Sequence, residues 1–284
     1  MAQGLNKVKK RIQTVESTKK ITSAMKLVSS VKFSQLQKEY ENRTLYFNGL
    51  KEYASIVFSA CEGKYVSSLY LDNNFSSTKT LYVVVSSSLG LCGAYNYNVY
   101  KYLSNIYKEG DEILTIGTSI FNTLKNDESV KIDPTFTNII DELSMSNCRI
   151  LANYLLKKYE TKEYKKVVLL YTTYQNAISF QVTKLKLLPV SYEESRKDLL
   201  NPGDLEPSLD VFLDRFVRKY LTSALYIKLF DSFLSEQASR RNAMENADKN
   251  AEDLVEKLKL EFNKARQTSI TQEINEVVSG SLNK

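Results

Sequence analysis

The chain contains no histidine. That excludes catalytic triads that use His, zinc sites of the Cys/His kind and any imidazole acting as general acid or base. Only three cysteines occur in 284 residues, and Cys61, Cys92 and Cys148 form no CxxC pair. Reduced thiols are expected rather than a disulfide framework. No stretch comes near the ~18 consecutive apolar residues of a membrane span. The opening MAQGLNKVKKRIQ is basic without an apolar core, so the sequence predicts no secretory leader and a cytosolic protein.

Glycine and proline are scarce, and where they are missing is informative. Ser208 to Ser279 has neither, while Gly203 and Pro207 precede it and Gly280 follows. Punctuation confined to the two ends predicts one helix, of about 100 Å if unbroken. A helix of that length cannot bury itself on one compact core. Leu5 to Asn48 also lacks both residues. Leu5, Val8, Ile12 and Val15 recur at three- and four-residue steps, and Thr18, Ile21, Met25 and Val28 extend the predicted stripe. The C-terminal stripe runs through Val255, Leu258, Phe262, Ala265, Ser269 and Gln272, losing apolar character towards its end. Each terminal helix is the other's expected partner in an antiparallel coiled coil.

Net charge is +6, with 39 basic against 33 acidic residues. Residues 1–40 hold Lys7, Lys9, Lys10, Arg11, Lys19, Lys20, Lys26, Lys32 and Lys38 against only Glu16 and Glu39, so the excess is local. It reads either as the solvated face of an amphipathic helix or as a surface for nucleic acid, membrane or an acidic protein.

Between the helices the pattern changes to α/β. Leu81–Val85 is a short β-branched strand. The loop SSSLGLCG (Ser86–Gly93) leads to a helix over Ala94–Tyr107. Ile113–Gly117 and Val130–Ile132 are further strands. Helices are expected over Thr118–Lys125 and Asp141–Tyr159. Val167–Thr172 and Ile178–Leu188 form a hairpin about Gln175-Asn176. The expected division is 1–58, a shaft helix; 59–205, an α/β domain; and 206–284, the second shaft helix. The fold class is thus a long antiparallel helix pair carrying a Rossmann-like α/β domain.

Candidate chemistry is sparse. Gly90-Leu-Cys-Gly93 follows a strand, but its spacing is neither G-x-G-x-x-G nor G-x-x-x-x-G-K-[ST]. A structural turn outweighs a phosphate loop. Cys92 without a histidine reads as a small buried thiol. The pairs Asp111-Glu112 and Glu193-Glu194 lie where solvated turn or linker charge is expected. Lys264 to Glu273 is less ordinary. It sets Arg266, Gln267, Thr268, Ser269, Thr271, Gln272 and Glu273 near the end of a long helix, where propensity does not ask for Ser and Thr. The bland reading is an exposed helix end; the functional one is a surface for many exchangeable hydrogen bonds.

Four stretches resemble the gamma subunit of F-type ATPases: Leu5–Lys32; Gly90-Leu-Cys-Gly93 with Asn96; Lys186-Leu-Leu-Pro189; and Ser235–Ala251 running on to Lys264–Gly280. The resemblance covers effectively the whole chain, and its first and last stretches are highly specific. It implies a rotor shaft inside a ring of three alpha and three beta subunits, with an epsilon-type subunit and possibly a c-ring at the α/β domain. Arg266, Gln267, Thr271 and Glu273, with Lys10, Arg11 and Lys20, are the implied contacts to beta-type subunits. Gly90, Cys92, Gly93 and Asn96 are the implied structural loop. The subunit is implied to have no catalytic residue, cofactor, metal, nucleic-acid partner or membrane insertion, and to sit peripherally on the cytoplasmic face of the cell membrane. Two positions depart from the family pattern. Ser88 stands where Asp is usual, and Ala94 follows Gly93 where a second glycine is usual. A shaft of an F1-like paralogue that hydrolyses ATP for another mechanical task and a coiled-coil adaptor are the alternatives. A nucleic-acid binder is disfavoured, because no aromatic residue interleaves the basic ones before Phe33.

Overall fold

The computed structural model describes residues 2–61, 70, 76–191, 200, 206 and 208–282. The chain divides into two compact units, Met1–Val31 with Arg240–Lys284, and Lys32–Ser239. Two helices, α1 (Ala2–Cys61) and α5 (Leu209–Leu282), contribute to both. Neither contains proline, so nothing interrupts their backbone ladders.

In the first unit α1 and α5 run antiparallel: Glu16 pairs with Lys259 at 3.6 Å, Lys19 with Glu252 at 3.0 Å and Lys26 with Asp248 at 3.4 Å. The predicted seam holds through Leu5, Val8, Ile12 and Val15, all partly buried. Beyond Val15 it departs from expectation. Thr18 is exposed, and Ile21 and Val28 are 61% and 56% exposed. The inward positions are instead Lys19, Thr22, Ser23, Lys26 and Ser29, with Met25 partly buried beside them. Helical geometry carries the seam on at four- and three-residue steps from Val15 whatever residues stand there, and the apolar sequence stripe drifts off it. Ser23 donates a short hydrogen bond to Asp248. On α5 the stripe Val255, Leu258, Phe262, Ala265 and Ser269 faces inward as expected, but Gln272 is exposed. On this register Ala2 lies opposite the residues around Thr271.

The second unit is a five-stranded sheet of order β3-β2-β1-β4-β5, covered on both faces. Its strands are β1 (Thr80–Val85), β2 (Glu112–Ile116), β3 (Lys131–Asp133), β4 (Lys166–Tyr174) and β5 (Phe180–Leu188). All neighbours are parallel except β4–β5, the expected hairpin. A parallel sheet buried on both sides needs unbroken apolar runs, and Leu81–Val85 is one. Alternate residues serve opposite faces. Leu81, Val83, Val85, Leu114, Ile116, Val167 and Leu169 pack against α4 (Met145–Glu160), the end of α1 and the start of α5. Tyr82, Val84, Ile113, Val168 and Leu170 pack under α2 (Tyr95–Ile106) and α3 (Thr118–Leu124).

Two boundaries differ from expectation for local reasons. The α4 helix starts at Met145 rather than Asp141. A single 3-10 turn, Ile139–Glu142, comes first, and the Ser144 side chain then caps α4 by accepting from the Asn147 N–H at 3.2 Å. The β5 strand starts at Phe180 rather than Ile178, because the Asn176 side chain accepts from the N–H groups of Ile178 and Ser179 and closes an Asx turn.

Candidate functional site

Three groups of residues carry the expectations. The first is the polar end of α5. Arg266, Gln267, Thr271 and Glu273 are all exposed, as the adjoining Thr268 is. Thr268 and Thr271 each return their hydroxyl to a carbonyl one turn back, Lys264 O at 3.0 Å and Gln267 O at 2.9 Å. That leaves the hydroxyl oxygens as outward acceptors. Ser269 alone in this run is buried, at 8% exposure. The second group, Lys10, Arg11 and Lys20, is exposed on α1. The antiparallel register brings Lys10 and Arg11 beside the turn of α5 that precedes Arg266. Lys20 lies about 15 Å further along the helix. Seven residues from two distant sequence segments thus stand exposed on the helix pair, six of them near its end.

The third group is the loop of the other unit. Leu91 and Gly93 take left-handed backbone at φ 62° and 60°. Asn96 holds the turn together. Its Oδ1 accepts from the Ser87 N–H at 3.0 Å, and its Nδ2 donates to Ser87 Oγ at 2.8 Å and to Cys92 Sγ at 3.2 Å. Cys92 is buried, and its carbonyl accepts from Ser239 Oγ at 2.7 Å. A Cβ added at Gly90 would meet nothing within 4 Å. The polar groups of Ser87, Cys92 and Asn96 are spent on one another and on α5, whereas Ser88 Oγ is buried without a hydrogen-bond partner.

The sequence reading of Asp111-Glu112 as solvated charge is overturned. They are 4% and 2% exposed. Asp111 accepts from the Thr80 N–H at 2.7 Å and the Lys108 N–H at 3.1 Å. Glu112 accepts from Tyr164 OH at 2.6 Å and is paired with Lys131 and Lys158. Lys158 also reaches Asp133 at 2.9 Å, and Tyr154 OH donates to Asp133 at 2.6 Å. Burial alone would raise both carboxyls. Hydrogen bonds from Lys131, Lys158 and Tyr164 outweigh it at Glu112 and hold its pKa below the usual range. Those from Thr135, Tyr154 and Lys158 hold Asp133 down to about 2. Closed on itself, this network braces the sheet and leaves no group poised for proton transfer. Glu193-Glu194 lies outside the described residues.

Sequence reasoning also missed Gly117. Its φ is 85°, and a Cβ there would stand 2.1 Å from the Ser86 carbonyl oxygen. It missed Asp231, Ser232, Ser235 and Ser239 as well, all buried on α5. Their signal was available: they recur at i, i+1, i+4 and i+8, one face of a helix.

Among the described residues no group of His, Cys, Asp or Glu could hold a metal, and no helix is long and apolar enough to cross a membrane. Two long helices paired antiparallel, continuous with the helices of an α/β body, define a stalk-type subunit. The comparisons name the stalk. Residues 4–282 match the family model described as ATP synthase. The chain is 36% identical over 278 residues to the ATP synthase gamma chain of Mesoplasma florum, covering 98% of this chain and 97% of that one. It is 34% identical over 284 residues to that of Geobacter metallireducens, again at 98% and 97% coverage. Its fold superimposes on a chain of the Euglena gracilis mitochondrial ATP synthase OSCP/F1/c-ring structure with a TM-score of 0.71 at 19% identity, covering 98% of this chain and 94% of that one. A chain of the Tetrahymena thermophila mitochondrial ATP synthase central stalk/c-ring structure matches at TM-score 0.57 and 26% identity, covering 80% and 99%. The chain belongs to the ATP synthase gamma chain family.

Proposed function

We propose that this chain is the central rotor shaft of an F1-type ATPase or ATP synthase, transmitting rotation between a catalytic alpha/beta ring and a downstream element. The observation that carries the reading is the end of α5. Its inward seam stops at Ser269, and every residue from Ile270 to Val278 is exposed. A helix end bearing Arg266, Gln267, Thr271 and Glu273 makes directional contacts that exchange as partners pass. Ile270, Ile274, Val277 and Val278 beside them are 47–73% exposed. We assign those four polar residues, with Lys10, Arg11 and Lys20, to contact with beta-type subunits. The cations suit acidic partner loops, since such contacts form and break readily in water.

In this reading residues 1–58 and 206–284 are the shaft and 59–205 the α/β domain. The subunit is non-catalytic, binds no cofactor, and joins alpha and beta at 1:3:3 on the cytoplasmic face of the cell membrane. An epsilon-type subunit and a c-ring are the further partners. A shaft of an F1-like ATPase paralogue is the second reading. Ser88 and Ala94 favour it, because both departures from the family pattern fall in the α/β unit and none in the shaft motifs.

Purification of the tagged chain from its host is expected to bring alpha- and beta-type subunits in 3:3:1 ratio; a stable homodimer without them would refute the rotor. Arg266→Ala with Gln267→Ala is expected to lower ATP turnover of the assembled complex several-fold while leaving the subunit folded. Unchanged turnover in an intact complex would remove those residues from the contact.

A further inference from the structure

The strand β4 is longer than the neighbour that pairs with its inner edge. Pairing with β1 ends at Val84 and Leu170, yet β4 continues to Tyr174. On the other edge β5 stays paired through Tyr174 and Phe180. The backbone groups of Thr172 and Tyr174 on the β1 side would therefore be orphaned in a buried place. Side chains of α5 take them up. The Tyr174 N–H donates to Asp231 Oδ1 at 2.8 Å, and the Thr172 N–H to Ser232 Oγ at 3.1 Å. Ser235 Oγ donates to the Asp231 carbonyl at 2.9 Å within the helix and shares that proton with the Thr172 carbonyl at 3.3 Å. Ser232 Oγ is also 2.8 Å from Tyr95 OH, and Ser239 Oγ donates to the Cys92 carbonyl at 2.7 Å.

These four residues lie at i, i+1, i+4 and i+8, on one face of the helix. They are 0–8% exposed. Hydrophobic residues of the same size would bury more cheaply. Burial pushes Asp231 up to about 6, against the lowering effect of the Tyr174 N–H and the Lys228 charge. The arrangement keeps a buried carboxyl in order to keep that acceptor.

Apolar contacts are non-directional and let a helix turn about its axis at little cost. Hydrogen bonds are lost within a few tenths of an ångström and tens of degrees. We propose that Asp231, Ser232, Ser235 and Ser239 form a torsional clamp. They stand in for a missing strand along the end of β4 and lock the rotation of α5 about its own axis to the sheet. The clamp rests on the rotor reading, because only a shaft under torque needs its axial rotation fixed. Asp231, Ser232 and Ser235 grip the strand, and Ser239 grips the loop at the start of α2.

The test uses the assembled F1 complex with a bead fixed to the exposed face of α2 and the ring fixed to a surface. Ser232→Ala with Ser235→Ala removes two of the four clamp side chains and is expected to widen the angular variance of the paused rotor about twofold, as the loss of half a set of parallel directional bonds would. Unloaded ATP turnover should be unchanged. Leu234→Ala, which loosens the apolar cluster on the same turn, should leave the variance at the parental value. Ser239→Ala, a milder change, should widen it by less. Amide exchange at Thr172 and Tyr174 should accelerate in the double variant and not in Leu234→Ala. Equal variance in parent and double variant would overturn the clamp, as would equal widening by Leu234→Ala. A parent complex that never rotates under ATP would overturn the rotor reading instead, and the amide exchange would still decide whether the ladder holds β4.

Discussion

The two units of this chain solve opposite problems with the same helices. In Lys32–Ser239, α1 and α5 meet the sheet through Val57, Phe58, Val217, Leu221, Leu225 and Leu229, all at most 1% exposed. In Met1–Val31 with Arg240–Lys284, the same helices meet through a seam that admits Lys19, Thr22, Ser23, Lys26 and Ser29. The first is held by burial, which contributes about 2 kcal/mol for each large apolar side chain. The second is held by a thinner apolar line and a few polar pairs of about 1 kcal/mol or less each. One unit is built around a thick core, whereas the other leaves most of its circumference exposed.

Substitutions can break that contrast. The largest effect is expected from Gly117→Ala. Its Cβ would overlap the Ser86 carbonyl, and its φ is one that alanine avoids, so a loss of at least ~3 kcal/mol is expected in denaturant unfolding of the body. A melt within ~0.5 kcal/mol of the parent would show that β1 can move aside. Next is the acid response of the body. Asp133 is held down to about 2, below its ordinary value, so its stabilisation is complete above about pH 5 and is lost as pH falls towards 2. Asp133→Asn should lower stability at pH 7 by about 2 kcal/mol and flatten the dependence below pH 4. An unchanged slope would assign acid unfolding to other carboxyls.

Smaller effects are expected in the helix pair, and they sharpen the comparison. Val15→Asp sets a charge on the seam and should cost about 1–2 kcal/mol, seen as faster amide exchange in the first turns of α1 without loss of the body. Ile21→Asp should change stability by less than ~0.5 kcal/mol, because Ile21 faces outward. If the two rank the other way round, the apolar stripe of the sequence rather than the geometric seam is what packs.

That pair of substitutions also marks where the sequence was legible. Two uninterrupted helices, their pairing, the succession of strands and helices along the chain and the hairpin followed from Gly and Pro placement and from apolar period. The seam beyond Val15 did not, because a sequence pattern reports hydrophobicity whereas a coiled coil follows rotation angle. Asp111-Glu112 was misplaced for a related reason. Burial of a carboxylate depends on partners such as Tyr164 and Lys158, which are remote in sequence. The same holds for Asp231 and the serines of α5, whose acceptors and donors are backbone groups of β4 and the α2 loop. The polar residues near the end of α5 stand out in the sequence because Ser and Thr are out of place in an uncapped helix interior.

The outward turn of Ile21, Leu27, Val28 and Val31, each at least 50% exposed, bears on how the subunit is made. An isolated copy carries an adhesive stripe with nothing of its own to cover it. Copies made in excess of their partners would cling to one another or be cleared by quality control. In the proposed rotor, ring subunits would cover that stripe, so synthesis of this chain would be matched to theirs, the sleeve made ready before the axle.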